Sequence, residues 1–169
     1  RDGSTPRASD EAVPAARLYI VSDLAGALEP CGCVKDQLGG MDKLGALVAA
    51  EKDKAKASAL VSAGPLFFMD MELAADRRTQ EVAKADTIAA SMKALGLIAF
   101  TPGRNGWAGG AETLSKLTGE SGAPLVAANL TAPGLAPVKW TTKKIGGIEL
   151  GIIGVAAPGV PGTLLCWAA

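Results

Sequence analysis

Short apolar runs alternate along the chain with longer segments in which apolar residues recur at helical spacing. This alternation predicts an α/β domain with helices and a mostly parallel sheet that is covered on both faces. Near the end, two strand-like runs flank Gly146-Gly147 and predict a late β-hairpin. The predicted strands are 17–22, 59–62, 97–101 and 124–128, the predicted helices are 38–57, 75–95 and 111–117, and the hairpin joins 138–145 to 148–156.

Length and composition favour one domain with a core of small aliphatic side chains. The chain has 169 residues, of which 49% are hydrophobic and only 4% aromatic. A domain of this length buries roughly 70% of its unfolded surface without help from disulfides or metals. Residues 1–16 mix Ser, Thr, Pro, Gly and charges without a period, so we expect a flexible linker or tail there and a folded domain over 17–169.

Charge and residue counts exclude several classes of function. The 17 Lys and Arg residues balance the 17 Asp and Glu residues, so the net charge does not favour binding to nucleic acid or anionic lipid. No apolar run reaches the about 20 residues that a membrane-spanning helix needs. The chain contains no histidine and therefore cannot supply an imidazole base, acid or metal ligand by itself.

The loops that follow the strands are where function is expected, because ligands of open α/β sheets bind beyond the carboxyl ends of the strands. These loops are 23–37, 63–70, 102–110 and 129–137, and each contains Gly or Pro. The first is about 15 residues long, which is more than a plain connection needs.

In chain order, the segments at these strand ends are S-D-L-A-G with L-G-G-M, then S-A-G-P, T-P-G-R-N-G and A-A-N-L. Their order and spacing resemble the amino-terminal half of the calcineurin-like metallophosphoesterase domain, in particular its 5'-nucleotidase branch. The resemblance covers about residues 18–158. It implies a layered α/β sandwich in which Asp, His and Asn side chains from these loops hold two metal ions.

The residues that would hold these metals are largely replaced in the first two loops. Asp23 stands where the resemblance places the first aspartate, and it is a candidate residual metal ligand, although an Asp after a strand more often caps a turn. Ala25 stands in place of the first histidine, and Pro65 stands in place of the bridging aspartate. Neither side chain has a lone pair to donate to a cation.

In the third loop, too, residues that would bind metal in the family pattern are replaced. Gly103-Arg104-Asn105-Gly106 lies where Gly-Asn-His-Glu is expected, so a guanidinium replaces the Asn ligand and no His follows. An alignment moved by one residue places Asn105 on the Asn ligand and Gly106 on the His. Arg104 and Asn105 are candidates for binding an anion such as phosphate, since glycine-rich loops expose backbone amides. The glycines can equally serve tight turning alone.

These replacements lead to three hypotheses for function. The first is a non-catalytic metallophosphoesterase-like module, a pseudoenzyme without a cofactor that acts as a structural or interaction subunit of an exported or surface assembly. The alternative is the amino-terminal part of a metal-dependent phosphatase or 5'-nucleotidase that a further segment completes. The third is a binder of small anions or nucleotides that uses the Arg104 loop without hydrolysis.

Three cysteines lie in two places, Cys31 and Cys33 in a C-G-C segment and Cys166 near the end. The C-G-C pair suggests a redox-active disulfide or a soft-metal site, but a structural zinc site takes four ligands and the chain offers three thiolates. A structural disulfide to Cys166, or free thiols, is the preferred interpretation. The odd number leaves at least one thiol over.

Partner and location follow from the same resemblance. A half-domain leaves an open edge strand on its sheet, and such edges are usually covered, so we expect another polypeptide there. Many members of the family are periplasmic or attached to the cell surface. The linker-like start at 1–16 is compatible with export and with a lipid anchor upstream of it.

Overall fold

The structure, a computed structural model, describes residues 13–30 and 39–156 together with the backbone of 164–165. Its helices are α1 (Gly40–Glu51), α2 (Arg78–Ala94) and α3 (Ala111–Ser121), with short 3-10 turns at Lys52–Lys54 and Arg104–Trp107. Its strands are β1 (Arg17–Val21), β2 (Ser58–Gly64), β3 (Leu97–Pro102), β4 (Leu130–Thr131), β5 (Trp140–Ile145), β6 (Ile148–Ile153) and β7 (Leu164–Leu165). None of the described helices combines the length and apolarity needed to cross a bilayer.

The predicted α/β alternation and the late hairpin are confirmed, and the predicted strand 124–128 is the main local difference. Leu125 and Val126 form isolated parallel bridges, to Phe100 and Val138 respectively, instead of a regular ladder. The backbone of this segment still forms hydrogen bonds to Phe100 on one side and to Val138 on the other. The segment therefore continues the sheet before the chain turns towards the hairpin. The short antiparallel pair of β4 with β7 is not among the predicted elements.

The three helices lie on one face of the parallel sheet, whose strand order is β1-β2-β3. Right-handed β-α-β crossovers that step in one direction across a sheet place their helices on the same face. The side chains of Tyr19 and Val21 in β1 and Leu60 in β2 accordingly share one apolar cluster with all three helices. The helices therefore cover one face of the predicted parallel sheet.

Small and aliphatic side chains form the core on the helix side, as the composition predicts. On α2 the buried residues recur at helical spacing, namely Ala85, Ile88, Ala89 and Met92. Two aromatic side chains pack where the sheet meets the loops, and Phe67 contacts Phe100 edge to face with ring centroids 5.7 Å apart. This cluster fixes the strand ends that carry the candidate site.

The β5–β6 hairpin lies over the opposite face of the sheet and approaches it closely near both of its ends. A Cβ added at the turn residue Gly146 would lie 2.2 Å from the carbonyl oxygen of Ala15, just before β1. At the other end, a Cβ added at Gly154 would lie 2.3 Å from the hydroxyl oxygen of Thr101 in β3. The glycines therefore allow the hairpin to approach the sheet at the amino and carboxyl ends of its strands.

The hairpin leaves the β1 side of this second face exposed. Leu18 and Ile20, whose side chains point away from the helices, are 39% and 70% exposed, whereas Ala99 in β3 is buried. Leu18 is in register with Ala59, and Ile20 with Val61. An apolar strip thus runs along β1 on the surface of the described domain.

A cluster of charged side chains ties the start of β1 to the end of α1. The guanidinium of Arg17 donates to the carboxylate of Glu51, and Nζ of Lys54 lies 2.6 Å from the other carboxylate oxygen. The hydrogen bond from Lys54, followed by that from Arg17, lowers the pKa of Glu51 below its usual value of 4.5. All three side chains are partly exposed, so the stabilisation is small and sensitive to salt.

Replacement of Glu51 by Gln tests this cluster through the pH dependence of stability. Because the folded state lowers the pKa of Glu51, the stabilisation is present above the unfolded pKa and is lost as the pH falls through the lower folded value. We expect Glu51→Gln to lower the melting temperature at pH 7, and the difference from the wild type to shrink as the pH falls below 4.5, as measured by calorimetry. Glu72→Gln, in an exposed loop, is the control and should leave the melting curve unchanged.

Candidate functional site

One backbone carbonyl joins the loops that follow β1 and β2. The amides of Leu24 and Ala25 both donate to the carbonyl oxygen of Pro65, at 3.0 and 2.9 Å. The amide of Gly26 donates to the carbonyl of Leu66 at 3.1 Å. The first loop therefore lies directly against the second, and backbone groups occupy the junction at which the sequence predicts the site.

Two glycines let the strand ends approach each other more closely than side chains would permit. Gly64, at the end of β2, has a φ of +149°, and a Cβ there would lie 1.9 Å from the carbonyl oxygen of Ser22. A Cβ at Gly103, after β3, would lie 2.4 Å from the nitrogen of Pro65, and the amide of Gly103 donates to the Gly64 carbonyl at 3.0 Å. The carboxyl ends of β1, β2 and β3 are thus packed backbone to backbone.

A cavity of about 260 Å³ lies beside these strand ends, between β2, β3 and the chain after β6. The residues that line it are Ala63, Gly64, Thr101, Pro102, Gly103, Ile153, Gly154 and Val155. Thr101 has the one polar side chain in this lining, and its hydroxyl already donates to the Val126 carbonyl at 2.8 Å. Because the lining has no charged side chain, the cavity offers neither carboxylates to a cation nor a cationic group to a phosphate.

The donor atoms at the strand ends do not fit a centre of two metal ions. Asp23 lies at the carboxyl end of β1 with an exposed side chain. Ala25 adopts a left-handed backbone, with φ of 47°, and its side chain has no donor atom. Pro65 offers only a carbonyl oxygen that already accepts two amides. Nowhere in the described ranges do three Asp, Glu or Cys side chains gather so that they could hold a metal ion.

The two predicted anion-binding residues, Arg104 and Asn105, lie in the 3-10 turn after β3 and face different surroundings. The side-chain amide of Asn105 donates to the carbonyl of Met69, which fastens the turn to the loop after β2. Arg104 is exposed. An anion at this turn would therefore rely on the guanidinium of Arg104, with Asn105 already engaged in holding the loop.

Asn129 has a structural role that was not predicted from the sequence. Its side-chain nitrogen donates to the carbonyl of Ala156 at 2.9 Å, and its side-chain oxygen accepts from the amide of Ala156 at 2.8 Å. This double hydrogen bond fixes the chain after β6 to the loop before β4. An Asn directly after a predicted strand was the available signal, but its partner lies 27 residues further along the chain and nothing local identifies it.

The thiol predictions fall outside the part of the chain that the structure describes. Cys31 and Cys33 belong to the gap at 31–38, and Cys166 follows the last described residues. Their pairing, redox activity or metal binding stays a prediction.

Comparisons with known proteins identify the fold. No protein-family model matches the chain, and no curated protein matches it. Among solved structures it is similar to a 5'-nucleotidase precursor from Thermus thermophilus, with 20% identity and a TM-score of 0.67. It is also similar to the NAD nucleotidase of Haemophilus influenzae, with 19% identity and a TM-score of 0.66. A Staphylococcus aureus protein described as a 5'-nucleotidase matches at 13% identity and a TM-score of 0.65.

Each of these likenesses covers 88% of this chain, and the chain spans 31%, 29% and 32% of the three neighbours. The shared part is the amino-terminal α/β domain of the 5'-nucleotidase fold, so the predicted fold class is confirmed. At these identities the likeness establishes the fold alone.

Replacement of Gly64 by Ala tests the close packing of the strand ends. The new methyl group would clash with the Ser22 carbonyl and hold Ala at a φ of +149°, so we expect a loss of at least about 3 kcal/mol in the free energy of unfolding, measured by urea denaturation. Gly147→Ala is the matched control. Gly147 has a φ of +87° but no neighbouring atom within 4 Å, so it reports the backbone strain alone, about 1 kcal/mol. Equal losses in the two variants would contradict the close packing.

Proposed function

We propose that this chain is a non-catalytic module with the 5'-nucleotidase fold, and that it serves as a structural or interaction subunit. The observation that carries the proposal is the position of Pro65, where the resemblance places the bridging aspartate. Its ring has no donor atom, and its carbonyl oxygen closes the site by accepting the amides of Leu24 and Ala25. Hydrogen bonds between backbone groups thus take the place of the metal ligands.

The chemistry of phosphate ester hydrolysis supports this interpretation of the site. A two-metal phosphatase uses its ions to orient a hydroxide and to neutralise charge on the transferring phosphoryl group. Cations of this kind need several carboxylate, imidazole or amide ligands. Here the chain contributes the carboxylate of Asp23, no imidazole, and the fixed positive charge of Arg104 at the third loop. We therefore assign no catalytic step to these residues.

The alternative proposal is that this chain forms the amino-terminal part of a metal-dependent phosphatase or 5'-nucleotidase. It is supported by the neighbours, because each of them is about three times as long as the part that this chain matches. In that case ligands from a further segment would have to supply what Ala25 and Pro65 lack.

The interaction role is supported by β1, which ends the parallel sheet on one side in the described residues. An edge strand presents a row of backbone donors and acceptors to any polypeptide that can pair with it. The exposed Leu18 and Ile20 beside this edge add an apolar surface. We propose that another polypeptide covers the edge.

We also propose that the protein is exported, on the basis of the family resemblance and the linker-like composition of 1–16. Fractionation of the cells that make it tests this location, and recovery with the cytoplasmic fraction would count against it.

Metal analysis and a hydrolysis assay on the full-length native protein separate the two proposals. We expect less than one equivalent of manganese, iron or zinc after purification without chelators, and no turnover of AMP or bis-p-nitrophenyl phosphate with any of these metals added. Asp23→Asn should change neither result. Two bound metal equivalents, with hydrolysis that Asp23→Asn abolishes, would establish the alternative and overturn the non-catalytic proposal.

The anion-binding hypothesis for the Arg104 turn has its own test, because it requires no metal. If the exposed guanidinium binds phosphate or AMP, either ligand at millimolar concentration should raise the melting temperature, and Arg104→Ala should abolish the rise. Arg77→Ala, which removes an exposed arginine before α2, is the matched control and should retain the response. Unchanged melting of the wild type would rule the hypothesis out.

A further inference from the structure

The turn after β3 contains an Asn-Gly pair, the sequence in which asparagine side chains lose ammonia most readily. The chain has two asparagines, Asn105, which Gly106 follows, and Asn129, which Leu130 follows. Glycine has no Cβ, so nothing shields its backbone nitrogen from the side chain of the preceding residue. Asn105 is therefore the asparagine of this chain that is more prone to deamidation.

Deamidation of an Asn-Gly pair proceeds through a cyclic imide. The backbone nitrogen of the glycine attacks Cγ of the asparagine, so that a new N–Cγ bond forms while the Cγ–Nδ2 bond breaks. The proton of the glycine amide leaves with the side-chain nitrogen as ammonia. Water then opens the imide at either of its carbonyls, which gives aspartate or isoaspartate. Water is the one co-reactant of this step.

The folded turn holds both reacting groups out of position. The amide of Gly106, which would attack, donates to the carbonyl of Gly103 at 3.0 Å, and Gly106 is buried. The side-chain amide of Asn105 donates to the carbonyl of Met69 in the loop after β2. A 3-10 turn also keeps ψ at about −20 to −30°, whereas the imide needs a more extended backbone. The reaction therefore requires that the turn open first.

We propose that Asn105-Gly106 is a modification site at which a local opening of this turn becomes irreversible. In the unmodified chain the turn closes again, because the Asn105 side chain can donate to the Met69 carbonyl. A carboxylate only accepts hydrogen bonds, so aspartate at position 105 would face that carbonyl with no proton to donate. Isoaspartate would take the Asn105 carbonyl, which accepts the amide of Ala108 at 3.1 Å, out of the backbone. Each product thus removes a bond that closes the turn.

The modification would loosen one of the connections between the loops at the carboxyl ends of the strands. The Asn105 side chain joins the turn after β3 to the loop after β2. The amide of Gly103 would still donate to the carbonyl of Gly64, so the strand ends would stay joined while the outer part of the turn is released. This inference concerns the turn alone and does not depend on the proposed function, because it involves neither metal binding nor hydrolysis of a phosphate ester.

Mass spectrometry of the full-length protein after incubation at mildly alkaline pH tests the protection. Incubation in water that carries heavy oxygen labels the residues that react before digestion, and trypsin releases residues 105–116, in which Asn105 has the one amide side chain. We expect conversion to be about tenfold slower or more in the folded protein than in concentrated guanidinium chloride. Asn129 is the internal control and should convert far more slowly than Asn105 in the unfolded chain, because the Leu130 side chain hinders attack.

A variant that loosens the turn tests the need for opening. A Cβ at Gly103 would lie 2.4 Å from the nitrogen of Pro65, so Gly103→Ala should displace the turn and speed the conversion of Asn105 severalfold below the melting temperature of the variant. Gly119→Ala is the matched control, because no atom lies within 4 Å of a Cβ there, and it should convert at the wild-type rate.

Asn105→Asp reproduces one product directly and does not depend on the rate measurements. We expect it to melt about 2–4 °C below the wild type, and Asn105→Ala, which loses the donor without gaining a negative charge, to melt between the two. Equal conversion in the folded and the unfolded protein would overturn this inference. So would an unfolded chain in which Asn105 does not convert, a Gly103→Ala variant that converts at the wild-type rate, or an Asn105→Asp variant that melts like the wild type.

Discussion

The handedness of the β-α-β crossovers determines most of what is distinctive in this molecule. Two right-handed connections that step in the same direction, β1 to β2 and β2 to β3, place α1 and α2 on one face. The other face is then available to the β5–β6 hairpin, which covers its β3 side. Among the described strands, the same stepping order leaves β1 at the margin of the sheet and brings the three carboxyl ends side by side. The candidate site and the exposed edge are therefore two results of one topological rule.

At the strand ends, the described loops are joined to one another by backbone hydrogen bonds. Backbone groups can bond to each other without a particular side chain, and here the amides of Leu24 and Ala25 both donate to the Pro65 carbonyl. Gly64 and Gly103 allow the backbones of the strand ends to approach each other closely. The described residues at this junction therefore pack their backbone groups closely against one another.

Much of the fold could be predicted from the sequence, because period and turn residues are local signals. The helical spacing of Ala85, Ile88 and Met92 locates α2, and Gly146-Gly147 locates the hairpin. The distribution of helices over the two faces could not be predicted, since it depends on strand order, which no local pattern contains.

The site was predicted in part for a similar reason. The positions of Asp23, Ala25 and Pro65 at strand ends follow from the order of the segments, and the structure brings the loops that carry them together. The double acceptance by the Pro65 carbonyl and the hydrogen bonds of Asn129 to Ala156 are contacts between residues distant in sequence. Their geometry depends on the backbone path, and side-chain type alone does not reveal it.

The placement of Gly146 and Gly154 has a consequence for motion. Gly146 allows the hairpin to approach the sheet closely at the amino ends of the strands, and Gly154 does so at the carboxyl ends. A hairpin that contacted the sheet at one end only could move away from it by itself, but a hairpin that contacts the sheet at both ends cannot. Movement of β5 and β6 away from the sheet would therefore disrupt close contacts at both ends of its strands.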